Sequence, residues 1–221
     1  MTQPTLGLNL DASKHLHAHI LEVEVPHQDW DATQTAVLDA VIACAEESGF
    51  RALTTRRVAD VAGVNEVTIF RRFGSKAKLI AAAFEREAAA IGDQVGEHSG
   101  DLRADLERIA AAIWDAAGRR RLTLPVILSE LSTNAELRAA AGHSMDAVAR
   151  VAATLERYQD DGLLLKEPPL QAYASLVGPL VYLGIISRLL PQPPEVDIAT
   201  HVQRFLDGHA VRVKSNRRKA K

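Results

Sequence analysis

At 221 residues, with 47% hydrophobic but only 5% aromatic side chains, the chain is long enough to bury a large core, built from aliphatics. A net charge of −2 excludes a molecule that holds nucleic acid by overall charge, and a single cysteine excludes an intramolecular disulfide, which fits a reducing cytosol. The start, MTQPTLGLNLDASK, lacks the basic-then-apolar order of a secretory signal, and no run of about 18 residues is apolar without charges or breakers, so a cytoplasmic chain outside the membrane is expected.

Alanine-rich periodic segments separated by Pro and Gly predict an all-α protein. Residues 1–30 have no sustained period and read as a partly ordered extension. His15, His17 and His19 alternate there, but a solvated polar stretch is a better reading than a metal site. Glu24 and His27 have a ligand-like spacing that Pro26 spoils. A first helix, AVLDAVIACAEESGF, points Leu38, Ile42 and Ala45 inward and ends at Gly49-Phe50, with Cys44 as a small buried hydrophobe.

The segment LTTRRVADVAGVNEVTIFRRFGSKAK, residues 53–78, carries the most information. Thr54 or Thr55 suits the N-cap of one short helix, whose small Val58, Ala59 and Ala62 allow close approach of a second. Gly63 supplies the positive φ of a sharp helix exit, and Asn65 caps the next helix. Ile69 and Phe73 face the core, which leaves Glu66, Val67, Phe70 and Arg71 on the far side, flanked by Thr68 and Arg72. Residues 51–80 hold seven Lys/Arg against two Asp/Glu, an imbalance that a merely solvated helical hairpin does not explain. Two helices at a steep angle, the second with a polar, cationic face, make a DNA-reading helix-turn-helix.

A fourth helix follows Ser75, and Gly92, Gly96 and Gly100 then loosen the chain and mark a boundary near 92–100. A fifth, from Asp101 to about Gly118, turns Leu102, Leu106, Ile109, Ile113 and Trp114 inward. LTLPVILSEL forms a shorter helix with Pro125 in its first turn. Ala135–Asp160 is a long helix with Leu137, Val148, Val151 and Leu155 on its stripe, and Gly162 ends it. The helix Leu170–Leu190 is apolar almost all round and must be covered on every side, while Gly178 and Gly184 permit close approach. A Pro-Gln-Pro-Pro break precedes a last helix, Val196 to about Val213, and the tail from Arg212 to Lys221 holds six basic residues and no acid.

From Asp31 to about Glu87 the chain resembles the N-terminal domain of the TetR family of bacterial transcriptional regulators. The Gly-Val turn, the Thr-Ile-Phe-Arg-Arg-Phe run and the following Ser-Lys carry that resemblance. It implies an N-terminal three-helix DNA-binding domain followed by a larger helical ligand-binding and dimerisation domain. The expected division is 1–30 extension, 31–92 DNA-binding domain, 93–213 effector and dimerisation domain, and 214–221 basic tail.

On the DNA face, Arg71 shares a side with Val67 and is assigned to a base, while Arg72 is assigned to phosphate. Glu66 can accept from cytosine N4, Val67 can pack on a thymine methyl, and Thr68 can reach phosphate or base. The resemblance implies that Thr55 anchors the DNA backbone, Arg56 helps read a base and Lys76 clamps a phosphate. Phe70 stands where family members commonly have tyrosine, so only apolar contact remains there. Val67 stands where glycine is frequent.

The resemblance also implies a partner duplex, a homodimer through helices near 170–190 and 196–213, and a small-molecule effector between central helices. Trp114, Leu124, Leu128, Met145, Tyr173 and Tyr182 are expected to line that site, with Glu130 or His143 as polar anchor. The resulting expectation is a repressor that an effector releases from a palindromic operator. A DNA-binding factor without an effector and a helical small-molecule-binding protein or enzyme are the alternatives. Catalysis has little support and no cofactor or metal is expected. Gly142-His143-Ser144-Met145 lacks the final glycine of a nucleophile elbow, and Gly74-Ser75-Lys76 lacks the upstream glycine of a phosphate loop.

Overall fold

The computed structural model describes residues 30–119, 134, 135, 137, 146–187, 190–192 and 194–211. Among these residues there are eight helices and no strand beyond one isolated bridge. They are α1 (Ala32–Ala52), α2 (Thr55–Ala62), α3 (Glu66–Phe73), α4 (Lys76–Val95), α5 (Leu102–Arg119), α6 (Asp146–Asp160), α7 (Pro169–Ser187) and α8 (Ile198–His209). The predicted all-α class is the observed one. The short helix around Pro125, the metal-like histidines of the first segment, the elbow-like run at 142–145 and the basic tail lie outside the described residues.

Two apolar clusters organise the described residues. The first gathers Leu38, Val41, Leu53, Val58, Ile69, Phe73, Leu79 and Phe84, together with Leu137. The second gathers Ile91, Val95, Leu106, Ile109, Ile113, Val151, Leu155, Tyr158, Leu176, Leu180, Val202 and Phe205. Each fully covered Leu, Ile or Phe contributes about 1.5–3 kcal/mol, so both clusters are substantial. Helix α4 supplies residues to both, Leu79 to Phe84 at one end and Ile91 and Val95 at the other. Helix α4 is therefore the element that both clusters share.

Several expectations need correction. Gly92 does not loosen the chain: it lies buried inside α4, which continues to Val95 and ends at Gly96 (φ 64°). A Cβ at Gly92 would stand 3.0 Å from Nη2 of Arg150, so the missing side chain makes room for the α6 arginine. In α1 the inward stripe is Val37, Leu38, Val41, Cys44 and Ala45, and Ile42 is only half-buried at its edge. Burial pushes the Cys44 thiol pKa up, as befits a packing residue.

Trp30, expected at the end of a loose extension, packs on the first cluster and stacks on Phe73 with ring centroids 6.3 Å apart. The last helix is shorter than expected. Asp197 caps it, and it ends at His209, after which Ala210 bridges to Leu164.

Helix α7 carries no charge over 19 residues and is long and apolar enough to cross a membrane by length and composition. Its Ala172, Leu176, Val177, Leu180 and Gly184 are nonetheless buried against the rest of the chain. Tyr182 and Ile185 on its opposite side are exposed, as are Leu170 and Leu183 nearer its flanks. Gly184 serves the internal contact, because a Cβ there would lie 2.6 Å from that of Ala117 on α5. Gly178 has open space beside it.

Candidate nucleic-acid interface

The helix-turn-helix is built by local capping. Thr54 caps α2, its hydroxyl accepting from the Arg57 N–H at 3.2 Å. Gly63 leaves the helix with φ 69°, and the Val64 N–H returns to the Ala59 carbonyl at 3.0 Å. The Asn65 side chain accepts from the Val67 N–H at 2.9 Å and starts α3. Gly74 (φ 80°) ends α3, and Ser75 caps α4 by accepting from Lys78 N–H. Gly74 and Ser75 are therefore spent on helix ends, which accounts for them without a phosphate loop.

Helix α3 divides as its periodicity predicts. Ile69 and Phe73 are buried, whereas Val67 is 71% and Phe70 46% exposed, with Arg71 also in solvent. Arg56 is exposed on α2, and Thr68 and Lys76 are half-buried. Arg56, Arg71 and Lys76 make no ion pair among the described residues. Their charge remains available to a polyanion.

Two of the expected DNA-contact side chains are engaged within the protein. Thr55 does not present a free hydroxyl to a phosphate: it donates to the Glu66 carboxylate at 2.5 Å, tying the start of α2 to the start of α3. Glu66 is half-buried by the same contact, so its second oxygen alone remains for a base. Arg72 is not a free phosphate ligand either, because Nη1 donates to Oδ2 of Asp31. Arg57 pairs with Glu47 of α1 at 3.2 Å. Two cations of the helix-turn-helix are thus neutralised by acids of α1 or its cap.

Asp31 is fixed from its other side. Its Oδ1 accepts from the Gln34 N–H at 2.8 Å, and Gln34 accepts from the Asp31 N–H in return, a reciprocal cap. The Gln34 N–H and the Arg72 guanidinium hold the Asp31 carboxyl below the usual carboxylate range.

Of the expected effector-site residues, Leu124, Leu128, Glu130, His143 and Met145 lie outside the described residues. Trp114 and Tyr173 are partly buried against the second cluster, and burial pushes the Tyr173 hydroxyl up to about 12. Tyr182 departs from the expectation. It is 62% exposed on the outer side of α7, because one helix cannot turn every position toward a single core. A groove of about 480 Å³ opens between α1 and α4, lined by Asp39, Ile42, Glu46, Arg86, Glu87 and two alanines, and includes none of these residues.

A model of the family described as bacterial regulatory proteins, tetR family, matches residues 37–83, which span most of α1 to the first half of α4. An HTH-type transcriptional regulator of Mycobacterium tuberculosis, itself uncharacterised, is 32% identical over 108 residues, 49% of this chain and 52% of that protein. The chain thus aligns with about half the length of the curated relatives it matches. A TetR-family protein from Vibrio parahaemolyticus superposes with a TM-score of 0.65 at 19% identity, over 80% of this chain and 98% of that one. A transcriptional regulator of Saccharomonospora viridis, solved in complex with choline, gives a TM-score of 0.61 at 18% identity, over 83% and 100%. The matched span, the capped helices and the fold neighbours agree: residues 37–83 are similar to the tetR family of bacterial regulatory proteins, and the helical fold is shared with solved structures of that family.

Proposed function

We propose that the protein is a homodimeric transcriptional repressor that reads a palindromic operator through α3 and leaves it when a small molecule binds the larger helical unit. One observation carries the DNA reading: α3 buries Ile69 and Phe73 while Val67, Phe70 and Arg71 stand open beside exposed Arg56. An eight-residue helix cannot hold itself in water, so the core behind it serves to present that face.

A second copy is the occupant we assign to the uncovered side of α7, where Tyr182 and Ile185 are exposed and Gly178 allows close approach. Twofold pairing would match half-sites about 34–36 Å apart or a simple multiple. The outward positions of α8, Gln203, Arg204 and Asp207, are polar, so α7 supplies the apolar part. A cytoplasmic location outside the membrane goes with this reading.

Trp114 and Tyr173 are the described side chains we place nearest an effector, which must favour one spacing of the two heads over the other to release DNA. That a fold neighbour was solved in complex with choline supports a small-molecule ligand.

Selection of bound duplexes from a random pool tests the whole reading. Recovery of an inverted repeat with fixed spacing is expected, and recovery of no sequence preference would refute it. With the operator in hand, Arg71→Ala should cost about 1–3 kcal/mol of specific binding and relax the preference at one base pair. Lys76→Ala should instead weaken all sequences alike and flatten the salt slope by about one contact. Unchanged discrimination in Arg71→Ala would remove that residue from the reading face.

A further inference from the structure

We propose that Asp31 is an affinity-limiting residue of the DNA interface: it neutralises Arg72 on α3 and lowers binding to duplex DNA of any sequence. The inference rests on the DNA-reading role of α3 and adds to it a residue that acts against binding.

The geometry separates the two oxygens of Asp31. Oδ1 is engaged by the Gln34 N–H at 2.8 Å, and Oδ2 receives the Arg72 guanidinium. The carboxylate is therefore positioned by the cap of α1, independently of Arg72. Its neighbour Trp30 stacks on Phe73, the last residue of α3, which pins the same point of the chain against the reading helix. If Arg72 swung out to a phosphate, the carboxylate would stay behind, and its negative charge would face the incoming polyanion.

The pair is partly open to solvent, with Arg72 31% and Asp31 47% exposed, and Arg72 directly follows exposed Arg71 on α3. A cation already matched by a fixed anion releases no counterion from DNA, and the protein forgoes about one phosphate contact.

Asp31→Asn isolates the effect, because asparagine caps a helix about as well as aspartate while removing the charge. Binding of the full-length protein to a mixed-sequence duplex of about 30 base pairs is measured by fluorescence anisotropy across a salt series. At about 0.15 M salt the variant should bind roughly fivefold more tightly, and its logarithmic salt slope should steepen by about 0.9, the value of one added phosphate contact. In an Arg72→Ala background the same substitution should change both quantities far less.

Weaker binding by Asp31→Asn would mean that the carboxylate braces Arg72 toward phosphate, and would overturn the proposal. An unchanged slope, or an equal gain without Arg72, would overturn it as well. Failure of the wild type to bind any duplex at about 50 mM salt would instead sink the DNA-reading role itself.

Discussion

Replacing Asp105 with alanine is expected to lower the unfolding free energy by about 3–5 kcal/mol, the range for deleting one member of a buried, charged network. Asp105 has no exposed surface, yet lies on the apolar stripe of α5 beside Leu106 and Ile109. It accepts from the Tyr158 hydroxyl at 2.6 Å, from the Ser99 N–H at 2.8 Å and hydroxyl at 2.7 Å, and from Arg108 at 2.8 Å. Arg108 also donates to the carbonyls of Val95 and Glu97, both at 2.6 Å. One carboxylate thereby fastens the α4–α5 connection to α5 and α6. Alanine would strand the buried Tyr158 hydroxyl and the Ser99 donors, while Arg108 would keep only its two carbonyl acceptors. A urea titration should show a lower midpoint with little change in slope.

The same residue sets a pH dependence with a definite sign. Burial pushes the Asp105 carboxyl up, but the bonds from Tyr158 and Ser99 and the Arg108 charge outweigh it and hold the pKa below the usual value. A depressed folded pKa gives stability that is present above the unfolded value of about 3.9 and lost as pH falls through the folded one. The gap between wild type and Asp105→Ala should be steady from about pH 7 to pH 5 and narrow below about pH 4. Tyr158 acts at the other end. Burial and Asp105 raise its pKa, so it stays a neutral donor until well above pH 10, the usual tyrosine value.

What the sequence made legible was local. Thr54, Gly63, Asn65 and Ser75 announce their caps by residue type, and Ile69 and Phe73 announce the inward side of α3 by spacing alone. Contacts between helices were hidden. Thr55 meets Glu66 across the turn and Arg72 meets Asp31 over 41 residues, and both depend on crossing angles that periodicity does not contain. Arg71 is open to solvent like its neighbours Val67 and Phe70, whereas Arg72, about 100° further round, comes within reach of the α1 cap.

The glycines divide similarly. Gly63 is a backbone signal, while Gly92 and Gly184 are packing signals whose partners, Arg150 and Ala117, lie on other helices. Asp105 did leave a trace, as an acid at an inward position of an apolar stripe. Tyr182 and its exposed neighbours show the converse: a helix apolar all round is covered by its own chain on one side only.

Phe73→Ala should cost about 3–5 kcal/mol in the unit that presents the reading helix, and duplex binding should fall with it. Phe73 is 8% exposed, closes the C-terminal end of α3, and stacks on Trp30. With Ile69 it is one of the two buried residues of that helix, so its ring is a main apolar anchor of α3. Truncation leaves a cavity between α3, the Trp30 segment and the rest of the first cluster, and a close-packed core refills such a cavity only in part. The second cluster does not contain Phe73, and its helices should keep their ellipticity while the first unit melts earlier.

Phe70→Ala provides the contrast, since Phe70 is 46% exposed and its loss should change stability by less than about 1 kcal/mol. Its effect should show in DNA affinity alone. Thermal melts and anisotropy on both variants separate a seat from a contact: Phe73→Ala loses fold and binding together, Phe70→Ala binding only. If Phe73→Ala binds duplex like the wild type, α3 is held by something other than its buried edge, and the arrangement that exposes Arg71 needs another cause.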